Sequence, residues 1–234
     1  MEEKIEIKED DNTPLKDIDI LKKPETKTII DRYVFAGSFC RGKKVLDAAC
    51  GYGYGSIILT ALGADVVCAV DVDKKALLAA KETYPFKKDI FMYANLIMDW
   101  KKPENFNYRN KFDVVVSIET FEHILKEGVG QMLNNFKYVC KENGIILITT
   151  PIRRSAKFVY EGGTHLYEYN IQEFMDELRK VFPKSPIDFY LALEFKVNFL
   201  SAIGTLFDKG LKHYDKARIM IAVIKNQKGV SNEI

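Results

Sequence analysis

An open, doubly wound α/β fold is the architecture this sequence predicts, and three observations carry the prediction. Strand-like and helix-like stretches alternate from Thr26 to about residue 150. The strand-like stretches are near-continuous apolar runs, as a parallel sheet buried on both faces requires. The length, 234 residues, suits one well-buried domain and is short for two.

Each element follows from its own pattern. Residues 1–25, opening "MEEKIEIKEDDNTPLKD", alternate charges with little apolar periodicity and read as an N-terminal arm. Residues 26–228 then read as a single domain. "KTIIDRYVFAGSF" has helical spacing of its apolar residues. After it come "KKVLDAA" as strand, "GSIILTAL" as helix, "ADVVCAV" as strand, "KKALLAAKETY" as helix and "IFMYA" and "FDVVVSI" as strands. "VGQMLNNFKYVC" and "GIILITT" add one more helix and strand, and then the rhythm breaks. A loop leads to a short helix at "NIQEFMDELRKVF" and to two further strands, "PIDFYLALEF" and "ARIMIAVIK", which look like an antiparallel pair. The segment between them is long for a hairpin loop and predicts a helical insertion near 196–214.

Composition narrows the class. With 47% hydrophobic and 29% charged residues, 12 Tyr and 15 Phe, the chain has the makings of a packed core and excludes wholesale disorder. A net charge of +2 gives no global field for a polyanion, so nucleic acid is not the expected partner. Cys40, Cys50, Cys68 and Cys140 lack paired spacing, which predicts reduced thiols and a cytoplasmic protein. No apolar signal region opens the sequence, and no apolar stretch reaches the roughly 18 residues of a membrane span, so neither secretion by that route nor a span is expected.

Chemistry concentrates in two places. "VLDAACGYGYGS" is a strand, a glycine-rich turn and a helix start within twelve residues. Glycines let the backbone approach a ligand, and the helix beyond offers free N–H groups. Asp71 closes the next strand, twenty residues after Gly51, where a carboxylate can grip ribose hydroxyls. Turn and carboxylate together point to a nucleoside ligand. NAD is disfavoured, because from Gly51 or Gly53 the last glycine of a G-x-G-x-x-G fingerprint falls on Ser56 or Ile58.

The second place is "SIETFEHI", directly after "FDVVV". If the chain turns helical there, Glu119, Glu122 and His123 share one face. Three readings stand open: a cation site, proton chemistry, or a solvated first helical turn. Trp100 and most Phe and Tyr residues read as core, His213 as solvated, and Asp73 and Asp99 as surface carboxylates. Arg32 and Tyr33 precede the first strand, where a lid or a carboxylate contact would sit. Arg153, Arg154 and Lys157 of "IRRSAK" are either anion ligands or an ordinary solvated loop.

"VLDAACGYGYGS", "AVDVD", "YANLIMDW", "FDVVVSIETFEHI" and "GIILITTP", in this order over residues 43–151, resemble the successive motifs of class I S-adenosylmethionine-dependent methyltransferases. The resemblance implies a Rossmann-like, seven-stranded, mostly parallel sheet with a terminal antiparallel strand and helices on both faces. It implies S-adenosyl-L-methionine as cofactor. Asp47, Ala49, Gly51 and Gly53 would meet its amino acid part, Asp71 and Val72 the ribose, Asn95 and Leu96 the adenine, and Ile118 the same cleft. Asn95 stands where the family usually has Asp, and keeps a carbonyl to accept from the adenine amino group. Ala49 stands in place of the first glycine, a substitution that costs little at an ordinary φ.

"ETFEH" further resembles two O-methyltransferase groups, the ubiquinone-pathway enzymes and those that 2′-O-methylate the 3′ ends of small RNAs. This implies a divalent metal, Mg²⁺ or Mn²⁺, on Glu119, Glu122, His123 and His165, with His123, Glu119 and His165 as the catalytic set. A metal-free His123 acting as general base remains the competing reading. The expected activity is O-methylation of a small-molecule or glycan-like hydroxyl, the acceptor nucleotide-linked or phosphorylated in one version. RNA 3′-terminal methylation and a non-catalytic, cofactor-binding partner subunit are the alternatives.

Overall fold

The structure is a computed structural model and describes residues 24–153, 165–193, 207–209 and 217–227. The N-terminal arm up to residue 23, Arg154, Lys157, His213 and most of the expected insertion at 196–214 lie outside the described residues.

Thirteen elements follow in order: α1 (Pro24–Gly37), β1 (Lys44–Ala48), α2 (Tyr54–Ala61), β2 (Val66–Asp71), α3 (Lys74–Thr83), β3 (Phe91–Tyr93), β4 (Phe112–Ser117), α4 (Lys126–Val139), β5 (Cys140–Pro151), α5 (Ile171–Val181), β6 (Ile187–Leu193), β7 (Phe207–Lys209) and β8 (Ala217–Lys225). The strands form one sheet in the order β3-β2-β1-β4-β5-β8-β6-β7. β1 pairs parallel with both β2 and β4, and β4 parallel with β5. β8 runs antiparallel to β5 on one side and to β6 on the other, which makes the last two long apolar runs the antiparallel pair their sequence suggests. Three-residue β7 adds one strand to the expected seven, on the β6 edge.

Alternation along the strands sorts the core into two layers. Leu46, Val115, Ile146, Ile148, Met220 and Ala222 face α4 and α5, where Met132, Phe136, Phe174 and Leu178 meet them. Val45, Val114, Val116, Leu147 and Ile221 face α1 and α2, meeting Tyr33, Ala36 and Leu59. Each such side chain contributes roughly 1.5–3 kcal/mol of burial, and no strand has a wet face through the middle of the sheet. Trp100 is fully buried, and all four cysteines are buried and free. Among the described residues no helix is long and apolar enough to cross a membrane.

Local signals set the helix starts. Asp73 caps α3 by accepting from the N–H groups of Lys75 and Ala76, and Asn170 and Glu173 form a reciprocal capping box on α5. The chain runs outward from β1 to β2 and β3, then crosses back to β4 on the other side of β1. This reversal opens a crevice at the carboxyl ends of β1 and β4, where open α/β sheets bind ligands.

Candidate active site

On one side of the crevice stands the glycine turn. Ala49 has φ 67, Gly51 φ 50 and Gly53 φ 81, so three left-handed residues reverse the chain between β1 and α2. Ala49 does not have the ordinary φ expected of it, and its Cβ holds a strained conformation in a place that suits glycine. The turn is nevertheless closed from within. The N–H groups of Ala49 and Cys50 donate to the Val70 carbonyl at 2.8 and 3.0 Å, and that of Gly51 donates to Asp71 Oδ2 at 2.7 Å. Asp71 Oδ1 accepts from the Asp73 N–H at 2.8 Å. Asp71 thereby ties the ends of β1 and β2 together, and Val72 beside it is exposed. The first turn of α2 has Gly53 at its cap, a residue with no side chain to bond its N–H groups.

Asp47 lies beneath this turn, 0% exposed. Its Oδ2 accepts from Ser56 Oγ at 2.6 Å and its Oδ1 from the Tyr33 hydroxyl at 3.1 Å. Burial pushes its pKa up to about 7 against the pull of those two donors. One carboxylate thus joins α1, β1 and α2, and it shapes the amino acid side of the cleft from below rather than from its surface. Tyr33 packs flat on Gly55, where a Cβ would fall inside the ring. Ser56 carries no sequence signal beyond its place in the glycine-rich stretch.

Beyond β3, Asn95 Oδ1 accepts from the Ile97 N–H at 3.0 Å. The carbonyl expected to face adenine is engaged in this turn, and Leu96 behind it is buried.

Across the crevice, at the end of β4, no α-helix follows "SIE". Glu119 has φ 49, and only residues Phe121–His123 form a single 3-10 turn. The one-face arrangement of Glu119 with Glu122 and His123 is therefore not what forms. Glu119 Oε1 accepts from Thr149 Oγ1 at 2.8 Å, its Oε2 stands 3.6 Å from Arg32 Nη1, and the buried Ile118 precedes it. Glu122 points inward, fully buried, with Oε2 accepting from Thr150 Oγ1 at 3.0 Å, and Oε1, 3.9 Å from His123 Nε2, lacking a hydrogen-bond partner among the described residues. Burial first, then the neighbouring Glu119 charge, holds its pKa well above the usual carboxylate range.

His165 comes to this cluster from after β5. The Glu122 carbonyl accepts from the N–H groups of Leu166 and Tyr167 at 2.8 and 3.0 Å, which docks the loop on the 3-10 turn. The rings of His123 and His165 stand edge to face at 5.0 Å, and His165 Nδ1 meets Glu168 Oε1 at 2.8 Å. One ligand atom each from Glu122, His123 and His165 lies within 4.8 Å of the others, and Glu119 is not in that group. The consecutive threonines Thr149 and Thr150, which close β5 and orient the two glutamates, are functional side chains that sequence patterning passed over. Two hydroxyls ending an apolar strand were their signal. Arg153 bonds Glu173 at 2.7 Å and stacks on Tyr167, so its fork serves the loop anchored there.

The family profile described as "Methyltransferase domain" matches residues 45–144. Ubiquinone biosynthesis O-methyltransferase of Glaesserella parasuis serovar 5 (strain SH0165) is 32% identical over 117 residues, 50% of this chain and 48% of that protein. Over residues 45–144 the chain is thus similar to methyltransferase domains. A probable S-adenosylmethionine-dependent methyltransferase of Mycobacterium tuberculosis (strain CDC 1551 / Oshkosh) is 29% identical over 114 residues, 49% of this chain and 38% of that protein. The chain thus spans about half or less of the length of the curated relatives it matches. Among solved structures, the methyltransferase domain of bacterial CtHen1-C superposes with a TM-score of 0.60 at 15% identity, covering 89% of this chain and 100% of that one. A methyltransferase from Mesorhizobium loti superposes with a TM-score of 0.60 at 13% identity, covering 84% of this chain and 97% of that one. Both likenesses concern the fold.

The residues around the glycine turn fit S-adenosylmethionine, the cofactor the resemblance implies. The first turn of α2 is free of a side-chain cap, the turn before it holds positive-φ glycines, and carboxylates close β1 and β2. The cluster at β4 fits a divalent cation, with an unbonded buried carboxylate oxygen and two imidazoles converging.

Proposed function

We propose that the chain is an S-adenosylmethionine-dependent O-methyltransferase acting on a hydroxyl of a small or glycan-like acceptor, with a divalent metal held beside the transferred methyl group. The observation that carries the reading is Glu122 Oε1, buried without a hydrogen-bond partner among the described residues and grouped with ligand atoms of His123 and His165. A buried carboxylate oxygen without a partner is costly unless the group takes up a proton or a cation completes it, and the two imidazoles grouped with it favour the cation. The ubiquinone biosynthesis relatives, named as O-methyltransferases, support a hydroxyl acceptor.

In the transfer, the acceptor oxygen forms a bond to the methyl carbon as the carbon–sulfur bond breaks. S-adenosylhomocysteine leaves, and the hydroxyl proton passes to water on the exposed side of His123. Glu122, His123 and His165 would hold Mg²⁺ or Mn²⁺, which when bound lowers the pKa of the acceptor hydroxyl. Arg32 and Thr149 hold the Glu119 carboxylate at the crevice wall. The Thr150 hydroxyl fixes the plane of Glu122. The loop docked on the Glu122 carbonyl brings His165 to the cluster.

The test is turnover of labelled cofactor on a panel of phenolic and glycan hydroxyls against chelator concentration. Chelation should abolish turnover and leave S-adenosylhomocysteine binding intact, and Mn²⁺ should restore it. Glu122→Gln should raise the Mn²⁺ concentration for half-activity by at least about tenfold, roughly 1.4 kcal/mol, in a folded protein. Full activity in a demonstrably metal-free sample would leave His123 as a base and remove the metal. Methylation of RNA 3′ ends with binding lost steeply between about 50 and 200 mM salt would move the acceptor to nucleic acid.

A further inference from the structure

The stretch from Ala94 to Trp100 leaves β3 without regular secondary structure, yet two side chains fix its backbone at four points. Trp100 Nε1 donates to the Asn95 carbonyl at 2.8 Å. The other three bonds come from one residue on α4. Asn135 Nδ2 donates to the Leu96 carbonyl at 2.8 Å and to the Met98 carbonyl at 2.7 Å, while its Oδ1 accepts from the Trp100 N–H at 3.1 Å. Gln131 Nε2 donates to that same oxygen at 2.9 Å. Asn135 is 1% exposed, between the core residues Met132, Leu133 and Phe136 of its own helix. Both amide protons and both carbonyl lone pairs are therefore in use.

A buried asparagine among apolar neighbours is a demanding choice, because each bond left unmade would carry the full cost of desolvating that group. An apolar side chain would serve the helix packing as well. What the amide adds is a tie from α4 to a turn whose other bonds, such as Ile97 N–H to Asn95 Oδ1 and Ala94 N–H to the Asp71 carbonyl, come from its own residues or from the end of β2, and the tied residues include the two that would meet the base of the cofactor. Resting on the S-adenosylmethionine reading of the site, we propose that Asn135 is a positioning residue for the adenine side of the cofactor cleft. It sets the path of Asn95 and Leu96 from a helix that never enters the crevice. The same helix starts at Lys126, three residues after His123, so one rigid element carries both the adenine loop and the exit of the acceptor cluster.

Asn135→Asp keeps the size and the acceptor but loses both donors and sets a carboxylate against two carbonyls. By calorimetry, its dissociation constants for S-adenosylhomocysteine and for adenosine should rise by the same factor, about tenfold or more, at temperatures where the variant is folded. Loss for S-adenosylhomocysteine with adenosine unchanged would place the effect at the glycine turn and overturn the inference. Unchanged affinity for both overturns it as well. In the unmutated protein, hydrogen exchange should show Leu96–Met98 and the middle of α4 gaining protection together when S-adenosylhomocysteine binds. Protection of the loop alone would overturn the coupling without needing a variant. If the unmutated protein binds no S-adenosylhomocysteine, the cofactor reading falls and this inference with it. Binding by the unmutated protein with an indifferent variant sinks this inference only.

Discussion

The two walls of the crevice are built on opposite terms. On the β1 and β2 wall the protein satisfies itself: Asp47 has two internal donors, Asp71 two backbone N–H groups, and Tyr33 fills the space that Gly55 leaves. On the β4 and β5 wall, Glu122 keeps an oxygen without a hydrogen-bond partner among the described residues, and His123 stands 38% exposed at its side. The first wall is preorganised for a large, invariant ligand, where fixed geometry raises affinity by removing reorganisation. The second leaves valence unspent, which is what a cation and a changing acceptor need. A substitution on the first wall should therefore register mainly as stability, and one on the second mainly as turnover.

The largest expected effect tests that division at Gly53. Its φ of 81 is unfavourable for any L side chain, and an added Cβ would meet the Phe91 ring, itself buried under α3. Strain of about 1–2 kcal/mol and overpacking of about 1–3 kcal/mol combine, so Gly53→Ala should lose roughly 2–5 kcal/mol in urea unfolding. A loss under about 0.5 kcal/mol would mean the turn is loose and the contrast between the walls is false.

Asp47 comes next, and its sign is unambiguous. Folding raises its pKa to about 7, above the roughly 3.9 of an unfolded Asp, because burial disfavours the charge. Between those values the native state binds more protons than the unfolded one, so this group's contribution is full below about pH 4 and is lost as pH rises through about 7. Asp47→Asn should flatten that part of the stability profile, by a few kcal/mol across the window. Denaturation midpoints of both proteins from pH 4 to 8 measure it; parallel profiles would show that the carboxylate is not proton-linked.

Much of this was legible in the sequence, and the failures share a cause. Apolar runs such as "VVCAV" and "FDVVVSI" specify buried parallel strands by themselves, and the twenty-residue spacing from Gly51 to Asp71 marks two neighbouring strand ends. What local pattern does not carry is backbone sign and long-range bonding. "ETFEH" has helical spacing, but Glu119 at φ 49 turns its carboxylate away to Thr149 and Arg32, partners 30 residues on and 87 residues back in the chain. Thr149, Thr150, Ser56 and Asn135 act through contacts that register and packing create, so nothing in their immediate neighbourhood announces them. The Asn95 carbonyl also closes a local Asx turn, a use its side-chain type favours and which leaves its second lone pair available.

The smallest expected effect is also the sharpest comparison, because each wall holds one non-glycine residue at positive φ, Ala49 at 67 and Glu119 at 49. Their strain is of similar size, about 1–2 kcal/mol for an L residue in the left-handed region. Their side chains differ in what they return. Ala49 offers a methyl group packed at the edge of the core, while Glu119 offers a carboxylate held by Thr149 and Arg32. Ala49→Gly should therefore raise stability by about 0.5–1 kcal/mol, the relief of strain less the entropy that glycine adds to the unfolded chain. S-adenosylhomocysteine affinity should stay the same, since the N–H of residue 49 keeps its bond to the Val70 carbonyl. If the glycine variant is instead less stable, the Ala49 methyl contacts outweigh the backbone strain, and the turn was selected for packing. If it is more stable but binds the cofactor more weakly, the strain itself holds the turn open for its ligand, and the first wall is poised by tension as the second is by unspent charge.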